Sequence, residues 1–344
     1  MKAEFITMQA LSLLLLVVFV IHCGGGGGTD AETETTDYSG SYYSVIASKP
    51  RSLMQIERTG KKVTFTFDSV YHFSGEGTVE GNTMALSATC ATDCILTLLL
   101  TFSEEGTGFT GTWKFVSGDV IVSDGTISGS KSPWDTWDTE ADGLPRFVAG
   151  DVMELEKISR ISKLRSGAGH DYSDDFESCR SMKHYFIPKD GVDKQQVKVF
   201  SPVDGTVAAL TTDWGEDGVW KGKVVCIKSK EYPAFHVIVY HIDPAGSLQV
   251  GDEVVAGRLL GYPADYENTT IADTAVGVVG PDGYRLVSFF QVMHDSLFQK
   301  YKARGIASRD EMVISKEARD ADPLTCDGEN FLEQGHLENW VDLN

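Results

Sequence analysis

Residues 197–210 read VKVFSPVDGTVAAL, and residues 248–262 read LQVGDEVVAGRLLGY. Both are short apolar runs broken by turn chemistry. Pro202-Val203-Asp204-Gly205 supplies a proline to preset φ and a glycine for a left-handed position, and Gly251-Asp252 and Ala256-Gly257 repeat the device. Three more runs share the pattern: GKVVCIKSK at 222–230, HVIVYHID at 236–243 and RLVSFFQVM at 285–293. Runs of this length, rich in β-branched residues and bounded by turns, are strands. The C-terminal half is therefore expected to be a β-sheet domain.

Outward from it, residues 39–131 also read as β. KKVTFTFDSV, GTVEGNTMALSA, CILTLLLTFS, GFTGTWKF and DGTISGSK are separated by glycine, Asn-Thr and Asp-Gly turns. Val63, Phe65 and Phe67 alternate with Thr64 and Thr66, which gives one buried and one wet face. Repeated short antiparallel strands predict a small barrel or sandwich. The stretch Gly77-Thr78-Val79 to Met84, followed by Phe109-Thr110-Gly111-Thr112-Trp113, loosely resembles small lipocalin-like barrels. The class is thus mainly β: a small antiparallel β-barrel or sandwich, a second β-sheet domain at 166–293, and a short helical C-terminal extension at 294–344. Residues 132–165 read as a connector, with Trp134 and Trp137 as pins; the run from Met153 to Leu164 fits strand or helix. Asp295–Ala303 and Ser308–Arg319 carry the helical signal, Ser308 acting as an N-cap ahead of Asp310 and Glu311.

From Gly167 to Met293 the pattern resembles the lysostaphin/LytM-type zinc metallopeptidases, which cut peptide cross-links in bacterial cell walls. The resemblance implies that His170 and Asp174, in GAGHDYSDD, match the family's first zinc pair, and that His241 in Val239-Tyr240-His241-Ile242 matches its catalytic histidine. Leu248 through Gly261 follows the family's next motif. The closing strand does not. The family carries His-Leu-His-Phe-Glu-Val, whereas this chain has Val287-Ser288-Phe289-Phe290-Gln291-Val292. Phe289 has no lone pair for a metal, and Val287 cannot handle a proton. A catalytic zinc normally takes three protein ligands and an open position for water. His184, His236 and His294 are the conceivable substitutes, with His184 nearest to the His170 loop. The insertion DFESCRSMKHYFIPKDGVDKQQ at 175–196 is expected to border the groove. A barrel-sandwich of the biotinyl/lipoyl kind shares the turn motifs, but no lysine stands in the turn that would carry the cofactor.

At the N-terminus, Lys2, the apolar run Leu11–Ile21 and Val20-Ile21-His22-Cys23 have the layout of a secretory signal. The ending resembles the lipobox of bacterial lipoproteins, which implies acylation at Cys23; an uncleaved anchor helix is the other reading. Gly24 follows the cysteine, with no aspartate to mark inner-membrane retention, so an outer-membrane, periplasmic or surface-facing address is expected. Residues 24–38 read as a flexible acidic tether. Lys+Arg of 30 against Asp+Glu of 50 gives a formal charge of −20, a poor match for nucleic acid or an anionic lipid surface. Outside the cytosol, Cys90 and Cys94 are expected to close a small disulfide loop. Cys179, Cys226 and Cys326 allow one more bond, with Cys179–Cys326 favoured and one thiol left over.

These readings lead to an envelope lipoprotein whose LytM-like domain binds peptidoglycan or a cell-wall hydrolase without cutting anything, and needs no cofactor. The competing expectation is an active zinc metalloendopeptidase that uses His170, Asp174, His241 and a non-standard third ligand. A structural surface protein is the third.

Overall fold

Alternating apolar residues close the first eight strands into a barrel. The computed structural model describes residues 36–344, apart from 47–48, 69–71, 90–93, 119, 133–134, 215–219 and 266–271. Cys23, Cys90 and Trp134 lie outside the described residues, as do the signal and most of the tether. The strands are β1 (Gly40–Ile46), β2 (Lys49–Thr59), β3 (Lys62–Asp68), β4 (His72–Glu80), β5 (Thr83–Thr89), β6 (Cys94–Phe102), β7 (Gly108–Ser117) and β8 (Val120–Ser130). Each pairs antiparallel with the next, and β8 returns to β1 through Tyr43↔Ser130, Ser44↔Gly129 and Val45↔Ser128. The barrel alternative therefore holds over the sandwich. Gly60 and Gly81 sit in two-residue hairpin loops at φ +63° and +60°, a conformation that a side chain would oppose.

Phe65, Phe67, Met84, Leu98, Leu100, Trp113 and Ile127 fill the interior. Burying one such side chain stabilises by about 1.5–3 kcal/mol. Tyr38, the last residue assigned to the tether, belongs to this core and packs on Phe102 at 4.8 Å between ring centroids. The barrel core thus takes in a residue on the tether side of the expected boundary.

Strand β8 serves two sheets. Its first half pairs with β12 (Gly205–Trp214) through Gly125↔Thr211 and Asp124↔Thr212. A Cβ at Gly125 would lie 2.7 Å from the Leu210 carbonyl oxygen, so this approach needs glycine. The second sheet adds β9 (Ile158–Ser162), β10 (His184–Pro188), β11 (Val199–Phe200), β13 (Trp220–Ser229), β14 (Phe235–Pro244), β15 (Glu253–Val254), β16 (Leu259–Pro263), β17 (Ala272–Val279) and β18 (Tyr284–Val287). Strands β12, β13, β14 and β17 are successive neighbours, and β10 and β18 continue on the far side of β17. Gly205, expected to supply a left-handed turn, instead opens β12. What requires glycine there is space, since a Cβ would lie 2.2 Å from the Lys228 carbonyl oxygen.

Both faces of this sheet are covered, which is why its central strands lack polar alternation. One face packs Val225, Ile227, Val237, Val239, Val276 and Val278 on Phe289, Phe290, Met293, Leu297 and Phe298. The other packs Ala209, Cys226, Ile238, Tyr240 and Ala275 under Leu164 and Met182. The connector is pinned by Trp137, whose ring meets Tyr232 at 5.4 Å and Phe235 at 6.0 Å.

The C-terminal extension contains α1 (Asp295–Lys302) and α2 (Lys316–Ala321), then β19 (Thr325–Asp327), β20 (Asn330–Glu333) and β21 (Trp340–Asp342). The second helix starts later than the Ser308 signal predicts. Ser308 opens only a short 3-10 turn at Asp310–Met312; Val313 then bridges Leu164 in extended form and Ile314 is buried. The helix restarts behind Ser315, whose hydroxyl accepts from the Ala318 amide at 3.1 Å. Burial of Ile314 and the bridge from Val313 to Leu164 outweigh helix continuity here.

Cys179 and Cys326 form a disulfide that ties the C-terminal tail to the domain, the favoured pairing, and Cys226 is a buried free thiol. Cys94 is also disulfide-bonded.

Candidate functional site

The strand facing His241 is β17, whereas the sequence pattern put 287–292 there. Strand character ends at Val287, and Phe289, Phe290 and Val292 turn into the core with no exposure. Strand β17 pairs with β14 through Val239↔Thr274 and Ile238↔Ala275, which brings Asp273 beside Tyr240. The alternation of β17 puts Asp273 on the Ala275 face, under the loop that carries His170.

A β-bulge aims His241 at the same place. Between Val225↔Val239 and Lys223↔Ile242 the register shifts, so Tyr240 and His241 together oppose Val224. His241 takes φ +57°, rare for a residue with a Cβ. Gly222 makes room for it: at φ +100°, its Cβ would lie 2.8 Å from the His241 carbonyl carbon. Gly222→Ala is expected to destabilise the fold by about 1–3 kcal/mol through backbone strain and to disturb the His241 ring resonances. Unchanged thermal unfolding would contradict this.

Lys183 lies at the centre of the cluster. Its Nζ is 3.0 Å from Asp273 Oδ2, with the two side chains 3% and 0% exposed. It stands 3.7 Å from the Tyr240 ring centroid and 4.4 Å from that of Tyr172, and it donates to His170 Nε2 at 3.3 Å. His170 Nδ1 donates to the Asp171 carbonyl oxygen at 2.9 Å, which leaves Nε2 as the acceptor. Burial and the adjacent ammonium both hold His170 below its usual pKa. His241 stands between two carboxylates, with Nδ1 3.2 Å from Asp213 and Nε2 3.4 Å from Asp273. Burial pushes the Asp213 carboxyl up, but His241 and Lys183 outweigh it and the net shift is downward. Tyr172 and Tyr240 join their hydroxyls across the top of the cluster.

Asp174 is committed elsewhere. One oxygen accepts from the Phe176 and Glu177 amides at 2.9 and 3.0 Å, and the other from the Leu286 amide at 2.9 Å. Its carboxyl is raised, chiefly by burial. The side chain thus ties the loop to β18, while its expected partner His170 turns to Lys183. His184 is also satisfied: Nδ1 donates to the Ser162 carbonyl oxygen at 2.7 Å, and Nε2 meets the Ser288 hydroxyl at 3.0 Å. His236 is fully buried, and His294 stands at the N-terminus of α1.

These residues do not fit a tetrahedral zinc. Asp174 has its oxygens on backbone amides, Phe289 is core, and an ammonium sits against His170 and Asp273. Among the described residues no three His, Cys, Asp or Glu side chains converge as a metal would require. The surface groove lined by Asp151, Glu154, Lys300 and Arg304 shares no residue with the cluster.

The fold brings His170 and His241, which the sequence singled out, together with Lys183, Asp273, Asp213 and Tyr172, which it did not. Lys183 lay inside a segment read as an insertion. Asp273 lay in ADTAVGVV (272–279), a wholly apolar strand apart from Asp273 and Thr274. A charged residue in such a run was the available signal.

The buried histidines predict acid sensitivity. Burial holds His184 down to about 4 and His236 down to about 3, so both are neutral when folded. The unfolded chain takes up their protons below about pH 6.5. Their stabilising contribution is therefore whole above that value and declines as pH falls toward the folded values. The expected slope is about 1.4 kcal/mol per pH unit for each histidine. Urea unfolding between neutral and mildly acidic pH checks it; a flat midpoint would contradict it.

No protein-family model matches the chain, and no curated protein matches it.

Proposed function

We propose that this is a cell-envelope lipoprotein whose C-terminal domain is a LytM-like fold turned from hydrolysis to binding. Its partner is peptidoglycan, through the stem peptides, or a cell-wall hydrolase that it regulates. The observation that carries this reading is Lys183. An ammonium 3.3 Å from His170 Nε2 and 3.0 Å from Asp273 takes the electrostatic place of a bound cation. It neutralises the carboxylate, occupies the histidine lone pair and repels a divalent ion. The ring nitrogens and oxygens that could serve metal chemistry instead hold the loop at 163–183 onto the sheet.

The Cys179–Cys326 disulfide supports an address outside the cytosol. The lipid anchor at Cys23 follows from the signal layout, and the formal charge of −20 argues against a nucleic-acid partner.

The test is zinc stoichiometry of the chain lacking residues 1–23, beside sedimentation with purified peptidoglycan sacculi. No stoichiometric zinc together with co-sedimentation is the expected result. Near one zinc per chain, lost in His170→Ala, would sink the reading and restore the peptidase. Absence of sedimentation with retained affinity for a purified LytM-type hydrolase would select the regulatory partner. Binding to neither would reject the binding role.

A further inference from the structure

Lys183 and Asp273 present an amine and a carboxyl at reacting distance. Nζ lies 3.0 Å from Oδ2, and neither side chain has appreciable contact with water. Neither oxygen of Asp273 accepts a hydrogen bond of ordinary geometry, so the contact is not an aligned, hydrogen-bonded ion pair. The second oxygen, Oδ1, lies 3.4 Å from His241 Nε2, and Asp213 stands 3.2 Å from Nδ1 of the same ring. The rings of Tyr240 and Tyr172 lie against the lysine nitrogen. A nucleophile, an electrophile and an acid–base group therefore meet in one dry pocket, on a backbone bent to bring the third of them there.

We propose that Lys183 and Asp273 join in an intramolecular isopeptide bond that forms autocatalytically after folding. A proton first passes from the ammonium to the carboxylate, giving the neutral pair that an apolar pocket favours over two buried charges. Nζ then attacks Cγ and forms the C–N bond. His241 takes the proton released by nitrogen and returns it to the departing hydroxyl, so the C–O bond breaks and one water leaves. The sum is one ammonium and one carboxylate giving one amide and one water, with no oxidant, reductant or other reactant. Asp213 holds the ring in place and stabilises its transient positive charge. Its side chain is one-third exposed and marks the side on which water can leave. Condensation is uphill between dilute groups in water. Here the fold has already positioned both, which is worth an effective concentration of about 10⁵–10⁸ M in well-oriented cases.

The bond would fasten the segment before β10 to β17 by covalent linkage, suiting a protein exposed to envelope proteases. It goes beyond the binding reading: an unreacted Lys183 still keeps a divalent ion out by its charge, and a reacted pair keeps one out by removing the Asp273 carboxylate, so either proposal can fail alone.

The experiment is the intact mass of the chain lacking residues 1–23, denatured and fully reduced. The expected mass is one water below that of the sequence, with a digest yielding a branched peptide that contains Lys183 and Asp273. The full sequence mass overturns the proposal. So does a water deficit that maps to a cyclised Asp-Gly step such as Asp204–Gly205. His241→Asn keeps a residue tolerant of left-handed backbone and serves as the second variant. It should fold with an unchanged circular dichroism spectrum while recovering the missing water in most molecules. A complete deficit in that variant would overturn the acid–base role given to His241.

Discussion

Lys183→Met is expected to lower the unfolding free energy by about 3–5 kcal/mol, the usual cost of stripping one partner from a buried charge pair. The physical reason is Asp273. With no exposure and no aligned hydrogen bond, its carboxylate depends on Lys183 for its counter-charge. Removing the ammonium leaves the carboxyl to protonate or to draw in water, and both outcomes loosen the contact between the His170 loop and β17. Lys183→Met combined with Asp273→Leu is expected to regain much of the loss, because a buried pair replaced by packed apolar groups is often neutral or better. Urea unfolding of the parent, the single variant and the double variant measures this. A single variant within about 1 kcal/mol of the parent would show that the pair is not what holds the loop. Where the isopeptide bond forms, the single variant loses that tether as well, so the deficit widens.

Replacing both Cys179 and Cys326 by serine is expected to cost about 5 kcal/mol, by the entropy of closing a long loop. The two residues are 147 apart in sequence, so the unfolded chain gains much freedom when the bond is absent. The bond also fixes the β19–β20 hairpin over the His170 loop. The Asp171 amide donates to the Glu329 carbonyl oxygen at 2.7 Å, and His170 Nδ1 stands 3.7 Å from the Glu329 carboxylate. Hydrogen exchange at the Asp171 amide should therefore speed up in the double variant more than exchange in the barrel. Equal protection at Asp171 in both chains would mean that Arg319, which binds Asp322 before the hairpin and Asn339 after it, keeps the segment in place without the disulfide. The Arg319 side chain, fully buried, donates to the Arg165 and Asp322 carbonyl oxygens at 2.9 Å. The same outcome at full stability would reject the entropic argument for this bond.

Some of the chain was legible before folding. Alternation at Val63–Phe67 and the two-residue glycine loops specify antiparallel β structure, because strand period and turn conformation are local properties. The Gly251 and Gly257 turns adopt left-handed φ as their surroundings suggest. The favoured cysteine pairing also appears, since few cysteines left few choices. The helix starts later than the Ser308 signal predicts because a local cap signal competes with burial of Ile314 and the bridge from Val313 to Leu164, which no local pattern displays.

The candidate site divides in the same way. Sequence alone marked His170 and His241, whose spacing and neighbours are linear features, and it showed that Phe289 offers no metal ligand. It could not indicate that β17, rather than 287–292, closes against β14, since several apolar strands satisfy the same pattern and only packing selects among them. Nor could it indicate that Asp174 would spend both oxygens on backbone amides, or that Lys183 would be carried between His170 and Asp273. Those are outcomes of burial: once the loop at 163–183 covers the sheet, every charge beneath it must find a counter-charge. The partner that Asp273 finds is set by register and bulge, which exist only in the folded chain.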